Sequence, residues 1–281
     1  MKRKGKKPIA VSQVVYYCVL GFAAIVTIIP FVWMSSTSFD RVYTYELPYP
    51  PRFIPANPSM FNYEIAFMNM PLLRYMINTM VIVILSVILT VAISTITGFC
   101  LSKGRFKGKG IILLIILTNM MIPFETKLLP TFNFIHMFGL VNTYLGVVLP
   151  GVLTTAMYIF FIKKFCDDLP NDLFEAGIID GAGKFRIYFR IFLPLMGPVV
   201  ATIIILVVMG CWNDLLWPLC VLTRTEMKTI QIGLSMYSNQ DVRHAGVATA
   251  MSVVSVLPLT ALFIFLQKYI VQSIAATGIK Q

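Results

Sequence analysis

The sequence predicts an all-α polytopic membrane protein with six transmembrane helices and a cytoplasmic helix–turn–helix loop. Three observations carry that prediction. Of 281 residues, 58% are hydrophobic and 12% charged, with mean hydropathy +0.81, well outside the balance of a soluble domain. Uncharged runs recur at 8–39, 75–102, 110–124, 128–162, 191–213 and 244–267, and a span needs about 20 mostly apolar residues to cross a hydrocarbon core roughly 30 Å thick. The cations gather in alternate connections between those runs, which is the mark of membrane topology.

In chain order, Lys2, Arg3, Lys4, Lys6 and Lys7 precede the first run. That run is longer than the roughly 7–15 apolar residues of a signal-peptide core, so 14–36 reads as an uncleaved first span. Residues 37–75 carry Pro48, Pro50, Pro51, Pro55 and Pro58 among Tyr43, Tyr45 and Tyr49 and read as irregular, extended external chain. The second span is 77–101. The third, 110–128, draws on the shortest run and continues past Glu125 and Lys127, with flanking lysines snorkelling outward. The fourth is 143–161, the fifth 194–216 and the sixth 245–267, all within one membrane domain covering 1–281.

A charged island at 164–193 separates the fourth and fifth spans. Pro170 suits a first helical turn. Leu173, Phe174, Ile178 and Ala182 recur at helical spacing. Gly181 permits a left-handed residue that breaks the helix. A short basic helix follows, ended by Pro194. The expected product is an elbow with carboxylates, Glu175 and Asp180, on one arm and cations on the other.

Orientation follows from the cations. Sixteen of the 23, at 2, 3, 4, 6, 7, 103, 105, 107, 109, 163, 164, 184, 186, 190, 268 and 280, fall on the side of the N-terminus, and seven, at 41, 52, 74, 127, 224, 228 and 243, on the other. The positive-inside rule puts both termini and the elbow in the cytoplasm. The net charge of +11 therefore belongs to short loops, and nucleic-acid binding is excluded. Cys18, Cys100, Cys166, Cys211 and Cys220 show no paired spacing, and His136 and His244 lie far apart, so no metal site is expected. No catalytic residue is assigned: zinc-protease, phosphate-loop and nucleophile-elbow motifs are missing from the sequence, and a chain of this kind needs a partner to supply energy.

Two further sets stand as candidates. Trp212, Asn213 and Asp214 close the fifth span with Trp217 beside them; they read either as an interfacial aromatic belt with a wetted carboxylate or as lining of a path or gate. Glu125 and Lys127 lie between Pro123 and Pro130 near membrane depth, where an ionisable group marks a functional site unless the chain is leaving the bilayer. In the external stretch 218–243, Ile230, Ile232, Leu234 and Met236 alternate with polar residues, an arrangement suited to packing on a partner, while Gln231, Ser235, Tyr237, Asn239 and Gln240 offer hydrogen-bonding groups.

The run Glu175-Ala176-Gly177-x-x-Asp180-Gly181-Ala182, with Ile191 and Pro194, resembles the "EAA" loop of permease subunits of binding-protein-dependent ABC importers. That family usually carries Ala where this chain has Gly177. Trp212-Asn213-Asp214-Leu215-Leu216-Trp217-Pro218-Leu219 is similar to another family stretch. So are Asn78-Thr79, Met121-Ile122-Pro123, Gly139-Leu140-Val141-Asn142-Thr143-Tyr144 and Thr277-Gly278-Ile279-Lys280. The resemblance spans about 14–280 and points to the carbohydrate-uptake branch, the half similar to the six-span subunit of maltose-type transporters. It implies the type I ABC importer fold in a cell inner membrane. It implies a second permease subunit, two ATP-binding subunits that hold ATP and Mg, an external solute-binding protein and a carbohydrate solute, with no cofactor in this chain. By the resemblance, Phe174, Glu175, Ala176, Asp180, Gly181 and Ala182 dock the ATPase, and Ser235, Tyr237, Asn239 and Gln240 approach the binding protein. An ion-coupled secondary transporter is the alternative, but inverted repeats and mid-membrane acids are not visible, and it leaves the elbow without a role.

Overall fold

The computed structural model describes residues 11–153, 155–240 and 244–278, with side chains over that range except 11, 12, 238–240, 266 and 268–278. The described residues are helical with no strand, in the order α1 Val11–Ser38, α2 Phe61–Asn69, α3 Leu72–Lys103, α4 Lys109–Thr118, α5 Phe124–Met137, α6 Tyr144–Leu153, α7 Ala156–Asp168, α8 Asp172–Ile179, α9 Lys184–Ile187, α10 Leu193–Leu195, α11 Gly197–Asn213, α12 Leu216–Val221, α13 Ile230–Gln240 and α14 Ala245–Gly278.

Three of these stretches are uninterrupted helices long and apolar enough to cross a bilayer: Gln13–Ser38, Leu72–Lys103 and Ala245–Phe265. Three bent pairs supply the remainder, α4 with α5, α6 with α7, and Lys184–Leu195 with α11, which makes six if each pair is one span. The third predicted span, 110–128, is thus not one straight helix. The chain turns by 104° between Met121 and Phe124, because Pro123 follows Ile122 and pushes it into extended backbone. The fourth, 143–161, is two helices either side of Thr154, which lies outside the described residues. The fifth starts at Gly197, after a 74° bend.

Two compact units divide the chain. In the unit Met1–Met70 with Met236–Val254, α1 is unburied along its apolar window, as befits a helix apolar on all sides that faces lipid. Chain 37–75 departs from the expectation of wholly irregular structure: it contains α2 and a short turn at Arg41–Tyr43. Asp40, only 1% exposed, anchors it. Its carboxylate accepts from the N–H groups of Val42, Ala56 and Asn57, so the buried charge is satisfied by backbone donors. Asn62 Nδ2 donates to Ser38 O (3.1 Å) and Asp40 O (3.0 Å), tying α2 to the end of α1.

In the unit Pro71–Ser235 with Ser255–Gln281, α3 is the central helix, flanked by α6, α7 and α11. It buries Ser86, Thr90, Ser94 and Thr95, small polar residues that allow close helix approach where no hydrophobic drive exists.

Candidate functional site

The elbow at 164–193 forms, with corrections of detail. Asn171 precedes the first turn of α8, and Pro170 stands one residue outside it. The acidic Asp172 and Glu175 sit in that turn, where the helix dipole favours negative charge. The predicted break at Gly181 is real. Its φ is +74°, its N–H donates to Ile178 O (3.0 Å), and Ala182 N–H donates to Gly177 O (2.9 Å). These two bonds close a Schellman cap, which needs a left-handed residue at that place. The predicted stop at Pro194 does not occur. A wide π-type turn over Tyr188–Phe192 leads into α10, where Pro194 lies in the first turn and its missing N–H costs nothing. The chain bends only at Met196–Gly197.

The inward face also differs from the expected one. Phe174 and Gly177 are buried, whereas Leu173 and Ile178 are exposed. Phe174 joins Phe99, Ile187, Tyr188 and Phe192 in a core under the elbow. Phe99 centres lie 4.9 Å from Phe192, 5.4 Å from Tyr188 and 6.3 Å from Phe174, each pair adding about 0.5–1.5 kcal/mol beyond burial. A Cβ on Gly177 would sit 3.0 Å from Ile187 Cγ1. The two arms are that close, which gives a packing reason for glycine here.

Lys103, at the end of α3, holds the elbow to the bundle: its Nζ donates to Asn171 Oδ1 (2.8 Å) and Leu169 O (3.1 Å). The hydroxyls of Thr95 and Tyr188 meet at 2.8 Å. Glu175, Ala176, Asp180 and Gly181 remain exposed, Ala182 is half-buried, and Glu175 lies 3.8 Å from the exposed Arg105 guanidinium. Ile179 and Phe185 are more than four-fifths exposed beside them. The elbow therefore presents carboxylates and large apolar groups together on a rigid support.

A second feature is an open cavity of about 380 Å³ walled by α3, α5, α6, α7, α11 and α12, within the size range of small-molecule sites. Its polar groups are Ser86, Thr90, Lys127, Thr131, Tyr158 and Asp214, and its aromatic wall is Phe124 with Trp217. Helix breaks put the charges there. Lys127 enters from the first turn of α5 and donates to Asn119 Oδ1 (3.1 Å). Asp214 lies between α11 and α12 and accepts from Trp217 N–H (3.3 Å). Of the candidates for a path, only Asp214 lines this cavity. Trp212 is 3% exposed and donates from Nε1 to Ser255 O (3.2 Å), Asn213 donates to Met209 O, and Glu125 is exposed. Lys127, read with Glu125 as a candidate near membrane depth, lines the cavity although Glu125 does not, and Trp217 lines it beside Asp214; the bend before α5 decides which of the two ionisable neighbours turns inward.

Chain 218–240 is mostly helical. Ile230 and Ile232 are fully buried within the protein, so they are not the apolar groups that would pack on a partner. Tyr237 is 7% exposed with its ring centre 6.3 Å from that of His244, and Ser235 is half-buried. The side chains of Asn239 and Gln240 lie outside the described residues. What holds the start of this chain is a hydrogen-bonded clamp assembled from fragments far apart in sequence. Asn78, 2% exposed, donates to Glu226 O (2.8 Å) and Lys228 O (2.9 Å) and accepts from Tyr144 OH (2.8 Å). Thr79 Oγ1 accepts from Ile230 N–H (3.0 Å). Asn142 Oδ1 accepts from the N–H groups of Thr223 (2.8 Å) and Arg224 (2.9 Å). Trp217 Nε1 donates to Val147 O (3.1 Å). Among the described residues no three His, Cys, Asp or Glu side chains gather as a metal site would require.

Comparison with known proteins places this geometry in context. Residues 91–276 match the family model described as binding-protein-dependent transport system inner membrane component. The chain is 37% identical over 203 residues to the arabinooligosaccharides transport system permease protein AraQ of Halalkalibacterium halodurans, covering 72% of each chain. It is 30% identical over 262 residues to the trehalose/maltose transport system permease protein MalG of Thermococcus litoralis, covering 92% of this chain and 93% of that one. Its fold matches, with a TM-score of 0.79 and 21% identity, a chain in the crystal structure of a bacterial ABC transporter involved in the import of the acidic polysaccharide alginate, over 94% of this chain and 99% of that one.

Proposed function

This chain belongs to the family of binding-protein-dependent transport system inner membrane components, and we propose that it is the pore-forming permease subunit of an ATP-driven importer for a sugar or oligosaccharide-like solute. The observation that carries this reading is the elbow: a capped helix displaying Glu175, Asp180 and the bare Ile178 and Ile179, braced from behind by an aromatic core. A surface of that kind suits the cleft of a soluble ATP-hydrolysing subunit, where a desolvated carboxylate gains a charge-assisted contact. Two such subunits bind the ATP and Mg, a second permease completes the pore, and an external binding protein delivers the solute. The whole chain acts as one permease domain in the plasma membrane with both termini cytoplasmic. The cavity beside Asp214, Lys127 and Trp217 is the part of the path this chain contributes, since an aromatic wall with hydroxyls suits a sugar face. The solute class rests on the relatives that carry the names of oligosaccharide and disaccharide permeases.

The test is purification of the assembled complex and reconstitution with the loaded binding protein. The wild type should co-purify with an ATP-hydrolysing subunit and take up sugar only with ATP. A Cβ at Gly181 meets no atom beyond its chain neighbours within 4 Å, and Asp and Asn are the side chains that most readily adopt the left-handed region. Gly181→Asp should therefore insert normally yet lose solute-stimulated hydrolysis and uptake, with Gly181→Asn losing less, because charge is added at the docking face. Wild-type stimulation in Gly181→Asp, or uptake driven by an ion gradient without ATP, overturns the reading.

A further inference from the structure

Behind the docking face of the elbow lies a second cavity, of about 330 Å³, that the proposed function leaves unused. Its floor is apolar: Ile96, Phe99 and Cys100 from α3, Phe106 from the following turn, and Phe185 and Phe189 from the basic arm. Three cations stand at its rim, Lys103, Arg105 and Lys184. Among the described residues no carboxylate lies within ion-pair distance of Lys103 or Lys184, and the Arg105 contact to Glu175 is long and open to water; Asp167, the nearby acid, is taken by Lys163 (2.6 Å) and Ser102 (2.6 Å). The site is therefore greasy at one end and net positive at the other.

The two ends are ordered along α3, a helix long and apolar enough to cross a bilayer. Ile96 lies seven residues before Lys103 on one continuous helix, about 10 Å deeper at 1.5 Å per residue, inside the apolar run that crosses the bilayer. Lys103 closes that run. The arm Lys184–Leu195 places Phe185 and Phe189 on exposed positions between Lys184, Arg186 and Arg190, the make-up of a segment lying at a membrane surface.

We propose that this cavity is a binding site for one anionic phospholipid of the leaflet that faces the elbow. The acyl chain lies along Ile96, Phe99 and Cys100, and the phosphate is held by Lys184, Arg105 and Lys103. Positive pockets at helix ends on the cation-rich side of a membrane suit anionic headgroups. A soluble subunit docked on the elbow does not reach Ile96, because that residue lies a further two turns within the bilayer. Since Phe99 also belongs to the aromatic core that supports Phe174, lipid occupancy stiffens the support of the docking helix.

The inference rests on the elbow lying at a membrane face, not on the solute or on coupling, and its test needs no transport. The assembled complex is placed in lipid nanodiscs with phosphatidylglycerol carrying a photoreactive group on its acyl chain, and cross-linked peptides are read by mass spectrometry. Label is expected on 96–106 and 184–189, displaced by unlabelled phosphatidylglycerol but not by equal phosphatidylcholine. It should fall at least fivefold in Ile96→Trp, which fills the floor, and in Lys184→Gln, which removes a rim charge; both side chains point away from the core, and gel filtration checks assembly. Equal displacement by the two lipids, unchanged label in Ile96→Trp, or efficient maleimide cross-linking of Cys100 to the ATP-hydrolysing subunit each overturn the proposal, the last by putting a protein where the lipid should be. ATP-driven uptake by the same sample reports separately on the transport reading.

Discussion

At the scale of single residues, one buried amide, that of Asn78, ties α3 to two segments far away in sequence. Asn78 spends both amide protons on the carbonyls of Glu226 and Lys228 and its oxygen on Tyr144 OH. Asn78→Ala should strand three polar groups, each costing about 1–3 kcal/mol when buried. Asn78→Asp should be worse, since it turns a carboxylate oxygen toward two carbonyls. Thermal unfolding of the purified complex, followed by thiol labelling of the native cysteines, should rank wild type above Ala and Ala above Asp. An unshifted midpoint in Asn78→Asp means the clamp does not bear on stability. Gly177 shows the opposite economy. It forgoes helix propensity, roughly 1 kcal/mol, so that Ile187 can lie against α8.

At the scale of elements, the breaks matter more than the helices. The 104° bend before α5 carries Lys127 to the cavity, and the gap between α11 and α12 carries Asp214 there. Backbone irregularity at membrane depth is tolerated where it lines a cavity, and both breaks border this one. Gly210 on α11 lines that space, and a Cβ there would meet nothing within 4 Å. Gly210→Leu should fill part of the cavity without disturbing the helices. Sugar uptake should drop at least tenfold, with basal ATP hydrolysis and complex yield unchanged. Normal uptake in Gly210→Leu removes the cavity from the path.

For the whole molecule, orientation is the property that charge alone predicts. With sixteen cations on one side and seven on the other, the connection after α3 should face the cytoplasm and the connection after α12 the exterior. Lys107 and Thr225 are exposed members of those two connections. In a complex freed of its five native cysteines, Thr225→Cys on intact cells should react with a membrane-impermeant maleimide. Lys107→Cys should react only after permeabilisation. Reaction of Lys107→Cys on intact cells inverts the topology.

Hydrophobicity, charge and helix caps are written along the chain, and so the sequence by itself determined the membrane class, the six apolar runs, the cation bias and the left-handed break at Gly181. Each depends on residues within a turn or a span of one another. The bend at Ile122–Pro123 was half legible: the proline was visible and the span was expected to continue past it, but not that the chain would turn by 104° there. The burial of Tyr237 and Trp212 was not legible at all, because an apolar or aromatic residue reads alike whether it meets lipid, protein or solute. Only the tertiary structure decided which charges share a cavity and which carbonyls Asn78 clamps. Its partner Glu226 stands 148 positions away, and hydrogen bonds of that reach leave no periodic trace in a sequence.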